Sequence, residues 1–145
     1  MSDSPDAATT IVEPDGDGLQ PVVLRRGQLT DGWRWLYAVG WSLLIPALMA
    51  LGDAASSFGK PTWWLDSAGT AAWFSVVPFI GPGLAATAGA VNWRRWPVAA
   101  AVGVLGLAGT ALADAGRSPA IAIGEGGLAL AALATSIAAL AGCVR

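Results

Sequence analysis

Two carboxylates stand where apolar stretches of this sequence end, and they are its first candidates for chemistry. Asp53 follows one uncharged stretch and Asp114 follows another. Together they could bind a cation or a proton at the edge of a membrane. The alternative that we favour is that each is a solvated residue that marks the end of a helix. No acidic residue lies near the middle of an apolar stretch, which argues against a proton-coupled transporter.

The sequence lacks the residues that most enzymes use for catalysis. The sequence contains no histidine, which excludes a Ser-His-Asp or Cys-His set and removes the commonest metal ligand. Its one cysteine, Cys143, can form neither an intrachain disulfide nor a multi-thiolate zinc site. No G-x-x-x-x-G-K-S/T phosphate-binding loop is present. We therefore predict a protein that is not an enzyme and that binds no cofactor and no metal.

One apolar stretch is interrupted by residues that weaken a helix. Proline removes a backbone donor, and glycine loosens the chain. Broken helices in mid-membrane are also where transporters build their substrate sites. A kink with a purely structural role is the alternative that we favour. The predicted kink residues are Pro78, Gly81, Pro82 and Gly83.

The composition indicates that these features lie in a membrane. Charged residues make up 12% of the sequence, about half the share of a soluble domain. A spanning helix needs roughly 20 mainly apolar residues. We predict an all-α integral membrane protein with four transmembrane helices in a domain of residues 33–145. Three spans, a re-entrant segment or a cleaved signal after Arg25-Arg26 are the alternatives. The uncharged stretches cover residues 35–52, 67–93, 96–113 and 126–144.

Residues 1–32 form a polar, acidic tail ahead of the first predicted span. Six of its residues are acidic and only Arg25 and Arg26 are basic. A segment with so little apolar surface cannot offset the entropy of ordering. We therefore predict that the tail is mostly disordered, over residues 1 to about 24.

The basic residues predict how the spans are oriented. Cytoplasmic loops of membrane proteins carry an excess of lysine and arginine. With the N-terminus inside, six arginines lie on the cytoplasmic side, against Lys60 and Arg117 outside. Four spans then place both termini in the cytoplasm of a bacterial cell, at its cytoplasmic membrane. The predicted inner arginines are Arg25, Arg26, Arg34, Arg94, Arg95 and Arg145.

The eight tryptophans lie near the predicted ends of the spans. Tryptophan favours the headgroup level, because its ring is apolar while its N–H needs a polar partner. The tryptophan pair between spans 1 and 2 could instead be a docking point for a larger complex. The predicted interfacial anchors are Trp33, Trp35, Trp63, Trp64, Trp93 and Trp96.

Spans 3 and 4 each carry a stripe of small residues at helical spacing. Lipid supplies little hydrophobic drive between helices, so close backbone approach at small residues provides the packing energy. We predict that these stripes pack spans 3 and 4 against each other or against another copy. The leucine stripe of span 4 would then face lipid or a partner. The predicted packing residues are Ala99, Gly103, Gly106, Thr110, Ala113, Gly127, Ala131, Ala134 and Ala138.

A shift of 61 residues aligns two parts of the chain. Arg34-Trp35 falls on Arg95-Trp96, and Asp53 falls on Asp114 at an identical interval. These matches suggest a parallel duplication of a two-helix hairpin. The alternative is that every span needs a basic, aromatic inner flank and a polar outer end.

The function expected from these features is structural. We expect an accessory or scaffold subunit of a membrane complex, or a homo-oligomer, whose partners are lipid and other membrane subunits. The alternative is a small pore or transporter, including a phage holin-like protein, although few polar residues line the spans. The residue usage fits a GC-rich bacterium or its phage. A net charge of −2 gives no case for nucleic-acid binding.

Overall fold

A computed structural model describes residues 27–60, 62–65 and 72–143, and this part of the chain is helical. The four main helices are α1 (Asp31–Ser57), α2 (Val77–Ala90), α3 (Trp96–Ala115) and α4 (Pro119–Ala139). Short 3-10 helices precede α2 at Ala72–Val76 and follow α4 at Leu140–Gly142. The predicted all-α class is therefore confirmed for the described residues.

The helices form an up-and-down bundle. Each packs on the next in the chain, and α1 also packs on α4. Tight turns at 91–95 and 116–118 make the successive helices antiparallel. The bundle thus has two ends. The Arg94 end holds residues 27–30, the α2–α3 turn and residues 140–143, and the Asp114 end holds residues 58–65 and the α3–α4 turn.

Proline sets the starts of three helices. Pro78, Pro97 and Pro119 each occupy one of the first two positions of α2, α3 and α4. The first N–H groups of a helix have no partner within it, so proline is tolerated there and its fixed φ favours the helix. Asn92, with φ of 50°, turns the chain between α2 and α3.

Three helices are long and apolar enough to cross a membrane: Asp31–Ser57, Trp96–Ala115 and Pro119–Gly142. A fourth apolar helix, Phe74–Ala90, is shorter. The α-helical part of that segment has 14 residues, about 21 Å of rise against roughly 30 Å of hydrocarbon. The predicted span 67–93 is therefore corrected: its last residues form the α2–α3 turn, and a 3-10 helix leads into α2.

Large apolar side chains cover much of the outer surface of the bundle. Among them, Leu105, Leu112 and Ile123 are each more than 70% exposed. A helix of a soluble bundle carries polar residues on this side. Here apolar side chains cover this side of the described helices instead. The core is lined by Tyr37, Trp41, Leu44, Leu48, Ala85, Trp96, Leu107 and Ala132, among others.

The chain just before α1 docks on the Arg94 end. The Asn92 side-chain oxygen accepts from the Leu29 N–H at 2.9 Å, and its amide donates to the Leu29 carbonyl at 3.0 Å. Leu29 is fully buried and bridges to Cys143. The end of the predicted 1–32 tail thus belongs to the bundle. The predicted disordered part, residues 1 to about 24, lies outside the described residues.

Candidate functional site

Two buried carboxyl groups meet at the Asp114 end. Asp114 is in the last turn of α3, and Glu125 is in the second turn of α4. The short turn between these helices brings the two side chains together. It is closed by N–H groups of Arg117 and Ser118, which donate to the Asp114 carbonyl at 3.0 and 2.8 Å. Asp114 is 1% exposed and Glu125 is fully buried.

A segment from the α1–α2 connection covers the pair. We call residues 62–65 the strap. The backbone N–H of Trp63 donates to Asp114 Oδ1 at 3.1 Å, and the indole N–H of Trp64 donates to Glu125 Oε1 at 3.3 Å. The Trp64 ring packs edge-on against Phe79 of α2 at 5.6 Å between centroids. The strap therefore contacts the carboxyl pair, which lies on α3 and α4, and also contacts α2.

Each carboxyl group keeps one oxygen without a protein donor. Asp114 Oδ2 and Glu125 Oε2 are buried and unpartnered within the described residues. The two carboxyl groups repel each other electrostatically, and the Arg117 guanidinium attracts the Asp114 carboxylate. A buried polar group without a partner is costly. This geometry is that of a site for a small cationic ligand or for a proton.

The prediction that Asp53 and Asp114 are both solvated residues at helix ends is wrong for Asp114, which is buried. Asp53 is exposed on α1, and the carboxyl group beside Asp114 is that of Glu125. The uncharged stretch 126–144 predicts that span 4 begins after Glu125, but α4 begins at Pro119 and includes Glu125. Pro119 was the available signal, because proline is common at the first position of a helix. Asp53 and Asp114 thus occupy different environments, which weakens the proposed duplication.

The predicted kink residues lie within one continuous helix. Pro78 is in the first turn of α2, where its missing N–H costs nothing, and Pro82 lies inside the helix without ending it. Gly81 faces α3: a Cβ placed there would lie 2.9 Å from the Cα of Gly103. Gly83 has open space at the same position. The cluster therefore serves a close α2–α3 contact and the start of α2.

The small-residue stripes divide between the core and the surface. Ala99, Gly103 and Thr110 of α3 are buried, and Gly103 faces Trp41 and Gly81 rather than α4. The buried face of α4 instead consists of Ile121, Glu125, Ala129, Ala132 and Ala139. The predicted within-chain packing through the span 4 stripe is thus corrected. Exposed are Gly106 and Ala113 of α3 and Gly127, Ala131, Ala134 and Ala138 of α4.

The predicted tryptophan anchors also fall into two groups. Trp64 is 4% exposed and Trp96 is 1% exposed, so both are core residues. Trp96 packs edge-on against Tyr37 at 5.0 Å. Trp35 and Trp93 are exposed near the Arg94 end, and Trp33 and Trp63 are half-buried at opposite ends.

The arginines that are predicted to be cytoplasmic and that the structure describes lie at one end of the bundle. Arg34, Arg94 and Arg95 lie at the Arg94 end, and Lys60 and Arg117 lie at the Asp114 end. Arg34 pairs with Asp31 at 3.4 Å and stacks over Trp35 at 5.4 Å. Arg25, Arg26 and Arg145 lie outside the described residues.

No family model, curated protein or solved structure matches the chain. Within the described ranges, no group of three or more acidic or cysteine side chains could hold a metal ion. The fold and the site define a helical bundle with an apolar exterior and a buried carboxyl pair.

Proposed function

We propose that this chain is a polytopic membrane protein without catalytic activity. It works by association with other membrane helices, as an accessory or scaffold subunit or as a homo-oligomer. The observation that carries the proposal is the outward-facing small residues of α3 and α4. A Cβ built at Gly106, Gly109, Gly126 or Gly127 meets nothing within 4 Å. Such positions let a neighbouring helix approach the backbone closely.

An open groove beside Gly126 and Gly127 supports the same proposal. It runs between α3 and α4, and its lining includes Ala108, Ala111, Gly126 and Gly127. Leu112, Ile123 and Leu130 rim it with exposed apolar side chains. A helix laid into this groove would meet small residues at its floor and large apolar side chains at its edges. That combination favours helix association within lipid.

The proposed location is a bacterial cytoplasmic membrane, with both termini in the cytoplasm. Three long apolar helices and the apolar exterior support the membrane. The gathering of Arg34, Arg94 and Arg95 at one end supports the orientation, because basic residues favour the cytoplasmic side. In this proposal the second of four crossings is made by α2 together with the 3-10 helix Ala72–Val76 that precedes it, and the chain returns to that side.

The orientation predicts which single cysteines can be labelled from outside the cell. In a Cys143→Ser background, a membrane-impermeant maleimide should modify cysteines at positions 60 and 117 and should spare position 94. The reason is that positions 60 and 117 share the Asp114 end, whereas position 94 lies at the opposite end. Labelling after lysis provides the control for reactivity at position 94. External labelling of position 94 in intact cells would contradict the topology.

Association through the small residues predicts a specific effect of Gly106→Leu. The side chain should project from the bundle without an internal clash, so the monomer should stay folded. It should block a close helix neighbour, and a wild-type oligomer should dissociate to a smaller species. The measurement is size-exclusion chromatography with light scattering in mild detergent. Leu105→Ile, on the adjacent exposed position, is the control. An unchanged oligomer in Gly106→Leu would contradict association through this face.

A small transporter or pore is the second candidate, and one observation favours it. The Asp114–Glu125 pair places two carboxyl groups inside candidate spans, and ionisable residues there commonly mark ion or proton pathways. Against it, the described spans carry few polar side chains that could line a water-filled path. The exposed small-residue faces therefore decide for association as the main proposal.

A further inference from the structure

We propose that Asp114 and Glu125 bind one proton between them, with the proton on Glu125, and so form a proton-binding site at the Asp114 end of the bundle. This inference goes beyond association with other helices and does not depend on it. It rests on the geometry of the two carboxyl groups, the strap and the turn that holds them.

Burial allows the pair only one negative charge. Glu125 is fully buried and Asp114 is 1% exposed. Two adjacent carboxylates in such a place repel each other and lose hydration, so one of them keeps its proton. An O–H on one carboxyl group then gives a donor to the other. This hydrogen bond provides a partner for the buried oxygens that otherwise have none, Asp114 Oδ2 and Glu125 Oε2.

The surroundings of the two groups decide which one carries the proton. Asp114 receives the backbone N–H of Trp63 at 3.1 Å and the attraction of the Arg117 guanidinium. Both interactions stabilise a carboxylate. Among the described residues that donate to it, Glu125 has only the neutral indole N–H of Trp64, at 3.3 Å. It also lies six residues, about 9 Å of helix rise, beyond Pro119. The anion therefore belongs on Asp114 and the acid on Glu125.

The strap contributes a further buried polar group at the Asp114 end. Thr62 is fully buried, and its hydroxyl has no hydrogen-bond partner among the described residues. It adjoins Trp63, whose N–H binds Asp114. An unpartnered buried hydroxyl, like the two carboxyl oxygens, is expected to be satisfied by a small ligand or water.

A hydrophobic carbodiimide tests the proposal, because it reacts with protonated carboxyl groups in apolar surroundings. The acid O–H adds across one C=N bond of dicyclohexylcarbodiimide, with the proton going to nitrogen. The O-acylisourea then rearranges to a stable N-acylurea. No group leaves, so the protein gains the mass of one reagent. The full chain in mild detergent at neutral pH should gain one adduct, which peptide mapping should place on Glu125.

Two variants and an internal control sharpen the result. Glu125→Gln should lose the adduct, whereas Asp114→Asn should keep it on Glu125, because a lone buried carboxyl group stays neutral. The exposed Asp53 should stay unlabelled in all forms. The wild-type adduct supports the proposal even where a variant fails to fold. Absence of an adduct on Glu125, equal labelling of Asp53, or labelling of Asp114 instead would overturn it. If sodium at constant pH protects Glu125 from the reagent, the site binds a metal cation instead of a proton, and the proposal is overturned.

Discussion

Replacing Gly103 by leucine is expected to lower the free energy of unfolding by about 3 kcal/mol, the upper end of the usual range for overpacking. A Cβ at this position would lie 2.6 Å from the ring of Trp41 and 3.2 Å from the Gly81 carbonyl oxygen. Trp41 is fully buried, so its ring cannot turn out of the way. The backbone of α2 on the other side cannot retreat without opening the α2–α3 contact.

The matched control is Gly109→Leu, six residues along the same helix. Gly109 is exposed, and a Cβ there meets nothing within 4 Å. The two variants make the same chemical change in the same helix, so their difference isolates the clash. Unfolding by SDS titration in mild detergent, followed by far-UV circular dichroism, measures both. Equal stabilities for Gly103→Leu and Gly109→Leu would show that α2 and α3 do not approach at Gly81 and Gly103.

The contrast between these glycines shows what the sequence could predict. Long uncharged stretches identify helices, because only helices satisfy a backbone across so many apolar residues. The small residues of α3 recur with a helical period, which predicts that they share one side of the helix. The same period does not show which of them face the core and which lie on the adjacent, exposed side. Gly103 is in the core because Trp41 of α1 and Gly81 of α2 meet it there. Those partners come from distant parts of the chain, so α3 alone could not distinguish Gly103 from Gly106.

The pairing of Asp114 with Glu125 could not be predicted from the sequence, for a related reason. A charge was taken as the end of an apolar helix, which correctly placed Asp114 in the last turn of α3. The same rule placed Glu125 before α4, although the helix begins at Pro119. A carboxyl group can lie inside an apolar helix when polar groups from other parts of the chain are buried beside it and interact with it. Here those partners are Asp114 and the indole of Trp64, and the strap that carries Trp64 could not be placed from its sequence.

Tryptophan poses the same problem, since its amphipathic ring suits a headgroup layer or a core with a nearby polar group. Trp93 and Trp96 flank the same turn, and both were predicted to be anchors. The structure separates them: Trp93 is 44% exposed, and Trp96 is 1% exposed. The difference follows from helix geometry, because α3 begins at Trp96 and its first turn already faces the core. Tyr37 of α1 meets the Trp96 ring there.

This separation predicts a large difference between two otherwise identical substitutions. Trp96→Ala should lower the free energy of unfolding by about 3–5 kcal/mol, the usual cost of removing a large buried aromatic side chain. It removes the edge-on contact with Tyr37 at 5.0 Å and leaves a cavity at the Arg94 end. Trp93→Ala removes a side chain that is 44% exposed, and we expect a cost below about 1 kcal/mol, in line with surface substitutions.

The measurement is again SDS titration in mild detergent, with Trp96→Phe as an intermediate. Phenylalanine keeps a ring against Tyr37, so this variant should recover more than half of the lost stability. Trp93 should matter in a different assay, the quenching of tryptophan fluorescence by lipid-attached probes. If Trp93 anchors the turn at the headgroup level, Trp93→Ala should lower the share of the total fluorescence that these probes quench, without unfolding the bundle. Equal destabilisation by Trp93→Ala and Trp96→Ala in detergent would contradict the core position of Trp96.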